Sequence, residues 1–586
     1  MNLFLTALRP TGEPVRKSDL FGFLARLPQD QEFESLVEGP FAAMAATGAR
    51  ALRPLIGRFR HLIGVGDVRL DRRSDWLPFA QGAADRATDL QLVLAAIDAR
   101  GVDVIKELHG DFAFVVWDAR AQKIVAARDA FGVKPLFMRH TNGLLLFSTR
   151  AAPLATNDQY DLAYLRDFLF GMPLRGRATA WSDVRRLEAG TVFQQRGTAG
   201  SVRTYWAAHD FSPAASADEK ESVSEFRQLF QQAVAQRLDA HGRTWAQLSG
   251  GLDSSSVVCT AEQLVDRGTL AGTITVVDTM GEGDERAFSN LVVQKYDLRN
   301  EQVQDAWPWE QAESLTLIDE PSQLYPFQRR DQRVRDVVRA NHAHVLLSGL
   351  GSDHYLFGNL GYIPDLVLAG RLLHAARELT AWSLVTRRSF WWMARRHALE
   401  PLMRGRLRPG RDEDAPCYPR WLGDAQRVSR DFERVFDLQQ HAPRGRRFSM
   451  ATAREMATIP AWVHRDGFET GMEVRYPFLS RPLVEFSLRL PVHMRARPFA
   501  RKWVLREAMR DVLPEAVRTR QRKGSIDARI VWSLQRESAT VQALLREPIL
   551  AELGLLDAQQ LRAAVEEARS GVKHNLVMLM SALSLE

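Results

Sequence analysis

The stretch WAQLSGGLDSSSVV, Trp245 to Val258, sets two glycines, an aspartate and three serines between a short apolar run and a helix-like segment. In Ser249-Gly250-Gly251-Leu252-Asp253-Ser254-Ser255, the glycines permit a tight turn and let an anion approach backbone N–H groups without a Cβ in the way. Ser254 and Ser255 fall where a helix would begin, so hydroxyls and free N–H groups would face the same anion. No lysine follows, which sets the loop apart from the GxxxxGK[ST] cradle of a β,γ-phosphate pair. Asp253 would repel a polyphosphate unless a cation stood between them, and magnesium bridging phosphate and carboxylate removes that conflict. A second stretch, HVLLSGLGSDHYLFG from His344 to Gly358, has nearly the same build.

Loops of this kind need strands behind them. GTITVVDT (Gly272 to Thr279) and AHVLLSG (Ala343 to Gly349) are short apolar runs of parallel-strand type among helical segments, which predicts βαβ units and a doubly wound sheet. RTWAQ, before the first loop, is a poor strand by pattern and is assigned one only because of the loop it precedes. The first two hundred residues hold FAFVVWDA, KIVAARD, LLLFST and TVFQQRG, separated by turn signals such as HTNG. From about Ser216 the texture becomes helical, beginning with SADEKESVSEFRQLFQQAVAQRL, and SVRTYWAAHDFSPAASADEK reads as a linker. A β-rich front half, 1–210, and an α/β back half, 211–586, follow.

The 586 residues exceed one ordinary core. Hydrophobic content of 45% and charged content of 25% are globular values. Two cysteines, Cys259 and Cys417, exclude a disulfide scaffold and a four-cysteine zinc site and suit a reducing cytoplasm. The histidines form no ligand cluster, so no zinc is expected. MNLFLTALRPTGEPV lacks a basic n-region, so no signal peptide is expected. PDLVLAGRLLHAARELTAWSLV (Pro364 to Val385) is broken by Arg371, His374, Arg377 and Glu378 and reads as an amphipathic or buried helix, not a membrane span. The net charge of +7 comes from scattered arginines without an aromatic-interleaved basic tract. That argues against a nucleic-acid partner, while the basic balance favours an acidic or polyanionic ligand.

SGGLDSS resembles the pyrophosphate-binding loop of the ATP pyrophosphatases, and LSGLGSD resembles the matching SGEGSDE segment of asparagine synthetases. EVRYPFLSRPLVEFSLRLP (Glu473 to Pro491) resembles their E-x-R-x-PFLD segment. ARKWVLREAMRDVLPEAVRTRQRKGSI (Ala500 to Ile526) resembles their K-x-x-LR-x-A…LP…R-x-K segment. The four segments occur in family order over roughly 240–530. Ahead of them, LHGDFAFVVWDARAQKIVAARDAFGVKPLF (Leu108 to Phe137) resembles the glutamine amidotransferase domain of the same enzymes.

The resemblance implies an α+β amidotransferase-like sandwich of the N-terminal-nucleophile type. An α/β ATP-pyrophosphatase domain of the adenine nucleotide alpha hydrolase kind follows, with a parallel sheet, many helices and a helical insertion at about 360–460. It implies ATP and Mg2+ as well. Leu248, Ser249, Gly250, Gly251, Asp253, Ser254, Ser255, Val277, Ser348, Gly349 and Asp353 would line the nucleotide, and Asp253 and Asp353 would hold the metal. Lys523, in RQRKGSI, falls at the family's late lysine, where a cation would stabilise charge on an acyl adenylate as it is attacked. Glu473 could help deprotonate an incoming amine or could pair with Arg475. Arg506 is either near the phosphates or a salt-bridge partner.

The departures are informative. The family's amidotransferase domain uses an N-terminal cysteine, whereas no cysteine here precedes Cys259, and RHRGPD and NGEIYN are missing. Glutamine hydrolysis is therefore not expected. Leu350 replaces the family's glutamate and His354 its following acidic residue. His354 reads as a base or as a structural residue at the loop end. Loss of the cysteine also marks β-lactam synthetases and lasso-peptide macrolactam cyclases, which adenylate a carboxylate for attack by an amine of the same molecule. Trp382, Trp391, Trp392, Trp421 and Trp462, with TRRSFWWMARRH among them, suit anchoring a peptide or packing helices. The expectation is a cytoplasmic ligase resembling lasso-peptide cyclases. It would adenylate an Asp or Glu side chain of a leaderless precursor peptide and close an isopeptide ring with the peptide's N-terminal amine, with a leader peptidase as partner. The alternatives are a small-molecule ligase (β-lactam-synthetase-like or an ammonia-using asparagine synthetase), a non-catalytic ATP-binding scaffold, and a tRNA-modifying ATP pyrophosphatase.

Overall fold

A computed structural model describes residues 2–20, 23, 32–46, 55–80, 86–155, 159–171, 176–239, 243–264, 270–278, 284–312, 320–403, 419–422, 446–463, 472–521, 527–572 and 575–586. The period-2 patterns of the front half build two six-stranded antiparallel sheets. One runs, edge to edge, Arg185–Arg186, Phe137–Thr141, Leu144–Ser148, Phe4–Leu8, Phe41–Ala46 and Phe33–Glu38. The other runs Ala199–Thr204, Thr191–Arg196, Lys123–Arg128, Gly110–Asp118, Leu62–Leu70 and Ile56–Phe59.

Strand Gly110–Asp118 shows why the sheets stack. Ala113, Val115 and Trp117 join the core that also takes Phe4, Phe41 and Phe147 of the facing sheet, while Phe112, Phe114 and Val116 join Leu90 and Leu94 of helix Asp89–Arg100. Successive side chains of one strand thus fill two different cores. A capping box fixes where that helix starts: Thr88 Oγ1 accepts from Gln91 N, and Gln91 Oε1 accepts from Thr88 N.

The back half holds a five-stranded, wholly parallel sheet in the order Asn300–Gln304, Gly272–Val277, Thr244–Gln247, Val345–Leu347, Glu473–Arg475. The weakly patterned RTWAQ supplies its central strand. Both faces are buried there, with Trp245 in one core and Ala246 in another, so no polar alternation marks it. Gly272 lies opposite Trp245, and a Cβ on it would come within 2.7 Å of the indole, so the glycine makes room for the ring.

Helices Ile363–Leu368, Leu372–Thr386, Phe390–Ala394, Glu400–Met403 and Arg447–Ala457 lie between the fourth and fifth strands in sequence. The run 364–385 becomes two helices, and no helix among the described residues is long and apolar enough to cross a membrane. Trp382 and Trp421 are buried, whereas Trp391, Trp392 and Trp462 are exposed. The tryptophans therefore divide between packing and surface.

Candidate nucleotide site

Both glycine-rich loops leave the carboxyl ends of adjacent central strands, where Ala246 pairs with Leu347. That edge is where parallel α/β sheets present ligand sites. In the first loop Gly250 has φ +73, and a Cβ there would lie 2.6 Å from Ser289 N. The loop closes on its own serines. Ser249 N donates to Ser254 Oγ (3.1 Å), the two hydroxyls are 2.9 Å apart, and Gly251 N donates to Ser249 Oγ (3.3 Å). Helix Leu252–Leu264 begins there, and its first residues, Leu252 and Asp253, line the cavity described below. Ser255 is fully buried, and its hydroxyl has no hydrogen-bond partner among the described residues.

The second loop lies against the first. A Cβ on Gly349 would stand 2.6 Å from Ser254 N, so this contact requires glycine. A Cβ on Gly351, at φ +120, would stand 2.8 Å from the Leu479 side chain. Short helix Asp353–Leu356 is pinned by Tyr355 Oη, which donates to Phe478 O at 2.8 Å.

Lys502 joins the two loops. Its Nζ lies 2.7 Å from both Asp253 oxygens, 2.8 Å from Ser352 Oγ and 2.5 Å from Asp353 Oδ1. Lys502 itself takes the left-handed conformation, φ +57, just before helix Trp503–Ala508, which aims its side chain between the aspartates. Asp253 is nearly buried, whereas half of the Asp353 side chain is exposed. A cavity of about 200 Å³ opens here, walled by Gly251, Asp253, Asp353, Arg501, Lys502 and Arg506, with Arg520 closing one side. Four of its side chains are cationic and two acidic. The surplus suits a polyanion.

Arg506 lines the cavity but spends its guanidinium on main-chain carbonyls, donating to those of Arg501, Arg518 and Arg520. Desolvation lowers its affinity for a proton, and nearby Asp253 opposes this. Arg520 bonds Glu285 at 2.6 Å and reaches Gly250 O at 3.4 Å. It thereby ties the chain after Arg518 to the first loop.

The structure thus gathers Ser249, Gly250, Gly251, Asp253, Ser254, Ser348, Gly349 and Asp353 at one sheet edge. Leu248 is buried just behind, its N donating to Ile274 O at 2.8 Å, and Val277 ends the neighbouring strand. Lys523 lies outside the described residues. Lys502, Arg501 and Arg520 join the site without having been assigned to it from sequence. The signal for Lys502 was the lysine opening K-x-x-LR, which carried no stated role.

Glu473 is not at this cavity. It opens its strand level with Val345, at the opposite end from the loop. Its Oε1 lies 3.2 Å from Lys134 Nζ and its Oε2 2.9 Å from the Arg475 guanidinium, and its side chain is almost wholly buried. Lys134 also binds Asp67 at 3.0 Å. Beside them Arg69 bonds Asp71 and Asp111, both at 2.7 Å, and Arg237 bonds Asp71 at 3.1 Å. The sheet sandwich and the parallel-sheet domain meet across this network.

His354 Nδ1 lies 3.2 Å from Gly351 O, and burial holds the imidazole below its ordinary value, against the pull of Asp353 and Glu455. Cys259 is buried inside helix Leu252–Leu264, and desolvation pushes its thiol up to about 12, which removes it as a nucleophile. No group of three or more potential metal-ligating His, Cys, Asp or Glu occurs among the described residues. Asp253 and Asp353, close enough to share one ammonium, make the two-carboxylate set that magnesium accepts alongside phosphate oxygens and water.

The asparagine synthase model matches residues 225–586, and a glutamine amidotransferase domain model matches residues 78–206. Asparagine synthetase [glutamine-hydrolyzing] 1 of Bacillus subtilis is 22% identical over 482 residues, 75% of this chain and 71% of the synthetase. The amidase chyE of Penicillium rubens is 31% identical over 196 residues, 32% of this chain and only 28% of the amidase. A glutamine phosphoribosylpyrophosphate amidotransferase from B. subtilis, solved with ADP and GMP, is similar over 59% of this chain and 75% of its own, at 12% identity and a TM-score of 0.22. With an amidotransferase-like sandwich in front and a parallel-sheet domain carrying the two paired loops behind, the chain belongs to the asparagine synthase family.

Proposed function

We propose that the chain is an ATP-dependent carbon–nitrogen ligase that forms an acyl adenylate and resolves it with an amine. The observation that carries this reading is the Asp253–Lys502–Asp353 cluster at the mouth of a cation-rich cavity, on the edge where both glycine loops converge. The ATP phosphates would lie along the first loop and the N-terminus of helix Leu252–Leu264, where N–H groups and Ser254 donate. Asp253 and Asp353 would hold Mg2+, which supplies charge neutralisation of the triphosphate.

A substrate carboxylate oxygen bonds to the α-phosphorus, the α–β phosphoanhydride bond breaks, and pyrophosphate leaves. Lys502, Arg501 and Arg520, which line the cavity, would stabilise the negative charge that grows on the leaving group. The amine nitrogen then bonds to the acyl carbon, the carbon–oxygen bond to AMP breaks, and the amine sheds a proton. Glu473 is placed to position the sheet edge and not to take that proton, because Lys134 and Arg475 hold it. Lys523 is assigned to the acyl-adenylate step by its place in RQRKGSI.

The finer reading is macrolactam closure within one peptide, of the lasso-cyclase kind. It is supported by a sandwich without any cysteine, by the inert Cys259, and by Trp391, Trp392 and Trp462 exposed among arginines on and beside the insertion. The second reading, an asparagine synthetase using free ammonia, is supported by the similarity over 75% of the chain. Mass spectrometry of the protein with ATP, Mg2+ and leaderless peptides from reading frames beside its gene separates them. AMP release with a peptide lighter by one water supports the macrolactam. AMP with aspartate and ammonium alone supports the second reading. No AMP in either arm, nor with a panel of other small amino acids, removes the ligase.

A further inference from the structure

A second cavity, of about 300 Å³, lies apart from the nucleotide site, at the meeting of three segments. Phe168 and Gly171, at the end of helix Leu162–Leu169, come from the amidotransferase-like half. Gln323 comes from the segment after Glu320, which is anchored to that half by its bond with buried Arg186. Arg454, Glu455 and Trp462 come from helices Arg447–Ala457 and Ile459–Val463. The lining therefore combines a cation and an anion on consecutive residues with an amide and two aromatic rings.

This cavity is tied to the nucleotide loops. Met456 and Ile459 share a core with Tyr355 and Leu356, the residues that follow Asp353 and His354. Glu455 is within electrostatic reach of His354 itself. A ligand held by Arg454 and Glu455 would thus sit one helix away from the second loop.

We propose that this cavity receives the amino-acid or peptide segment that the ligase acts on. Arg454 would meet a carboxylate, Glu455 an ammonium, and Phe168 and Trp462 the apolar part of the chain. The proposal rests on the ligase reading and gives the sandwich a task that needs no thiol: it supplies a wall of the substrate site. Paired opposite charges recognise a zwitterion by complementary contacts, and a bidentate guanidinium fits a carboxylate in a way lysine does not.

The test is ligand-observed NMR on the full chain with Mg2+ and α,β-methylene ATP. The probes are the twenty proteinogenic amino acids and the tripeptides Gly-Asp-Gly and Gly-Glu-Gly. Thr458→Trp and Ala461→Trp each fill the cavity, and Arg454→Ala and Arg454→Lys remove or blunt the cation. At least one probe is expected to bind wild type and to lose tenfold or more in affinity in both tryptophan variants. Arg454→Lys is expected to recover only part of the loss in Arg454→Ala. A melting temperature within about 3 °C of wild type and an MgATP affinity within about twofold show that a variant is folded and its nucleotide site whole. Unchanged probe binding in the filled variants, or no probe bound by wild type, overturns the proposal. AMP assays on the same samples keep the two readings apart. Probe binding lost on filling without AMP release at any substrate leaves the cavity standing and sinks the ligase. AMP release undisturbed by the filled variants does the reverse.

Discussion

Two buried lysines in this protein each bridge two carboxylates, and they do different things. Lys134 lies between Asp67 and Glu473, every member almost wholly enclosed and Arg475 adding a further ion pair. Lys502 lies between Asp253 and Asp353, but there one carboxylate is half exposed and a cavity adjoins it. The ion triad is nearly the same in both. What separates a strut from a site is empty volume beside the charge and a surplus of cations around that volume. A charge with room beside it can exchange partners with a ligand, whereas a sealed one can only be satisfied or broken.

The largest effect should come from breaking the sealed triad. Lys134→Met takes the lysine from both Asp67 and Glu473, and should cost about 3–5 kcal/mol in denaturant unfolding, with or without MgATP. A cost under 1 kcal/mol would show that the interface tolerates the charge and that the two triads are alike. Lys502→Ala should divide the effects the other way. AMP formation should drop roughly 10²- to 10³-fold, with a smaller loss of stability because Asp353 already reaches water. If stability fell as far as in Lys134→Met while turnover survived, the second triad would be a strut as well.

The smallest effect concerns His109, beside the sealed network. Burial and Arg481 hold its imidazole below the ordinary value, with Asp71 and Glu485 pulling back and Arg72 adding to the depression. Below pH 6.5 the unfolded chain therefore binds more protons than the fold, and stability falls as pH drops through that window. Asp129, raised to about 6 by burial and by Asp111, acts in the opposite sense over part of the same range. The informative measurement is therefore the wild type minus His109→Gln difference in unfolding free energy. It should shrink toward acid, by less than about 1 kcal/mol in all. A flat difference would remove His109 from the interface's pH response.

The glycine loops were legible from sequence because their conformations exclude other residues. Gly250 needs a positive φ, and Gly349 needs the space a Cβ would take from Ser254 N. The doubly wound sheet followed from strands that carry such loops, although its central strand is too short and too enclosed to show a pattern of its own. Lys134 and Glu473 are 339 residues apart in sequence, so nothing local announced their pairing. Lys502 was visible as a motif letter, but its role depends on a left-handed backbone that aims it between two loops, and no spacing rule encodes that direction. The tryptophans left two uses open in the sequence, and the structure divides them: Trp382 and Trp421 pack, while Trp391 stands in solvent.

The sealed network also has a charge balance. Among its eight groups the sandwich contributes Asp67, Asp71, Asp111, Arg69 and Lys134, one negative charge in excess. The parallel-sheet domain contributes Glu473, Arg237 and Arg475, one positive charge in excess. Within this network neither half's charges balance until the other covers them. The sandwich thus acts as a counter-ion for the parallel-sheet domain, and severing the chain near residue 210 would strand an unbalanced set of these charges on each piece.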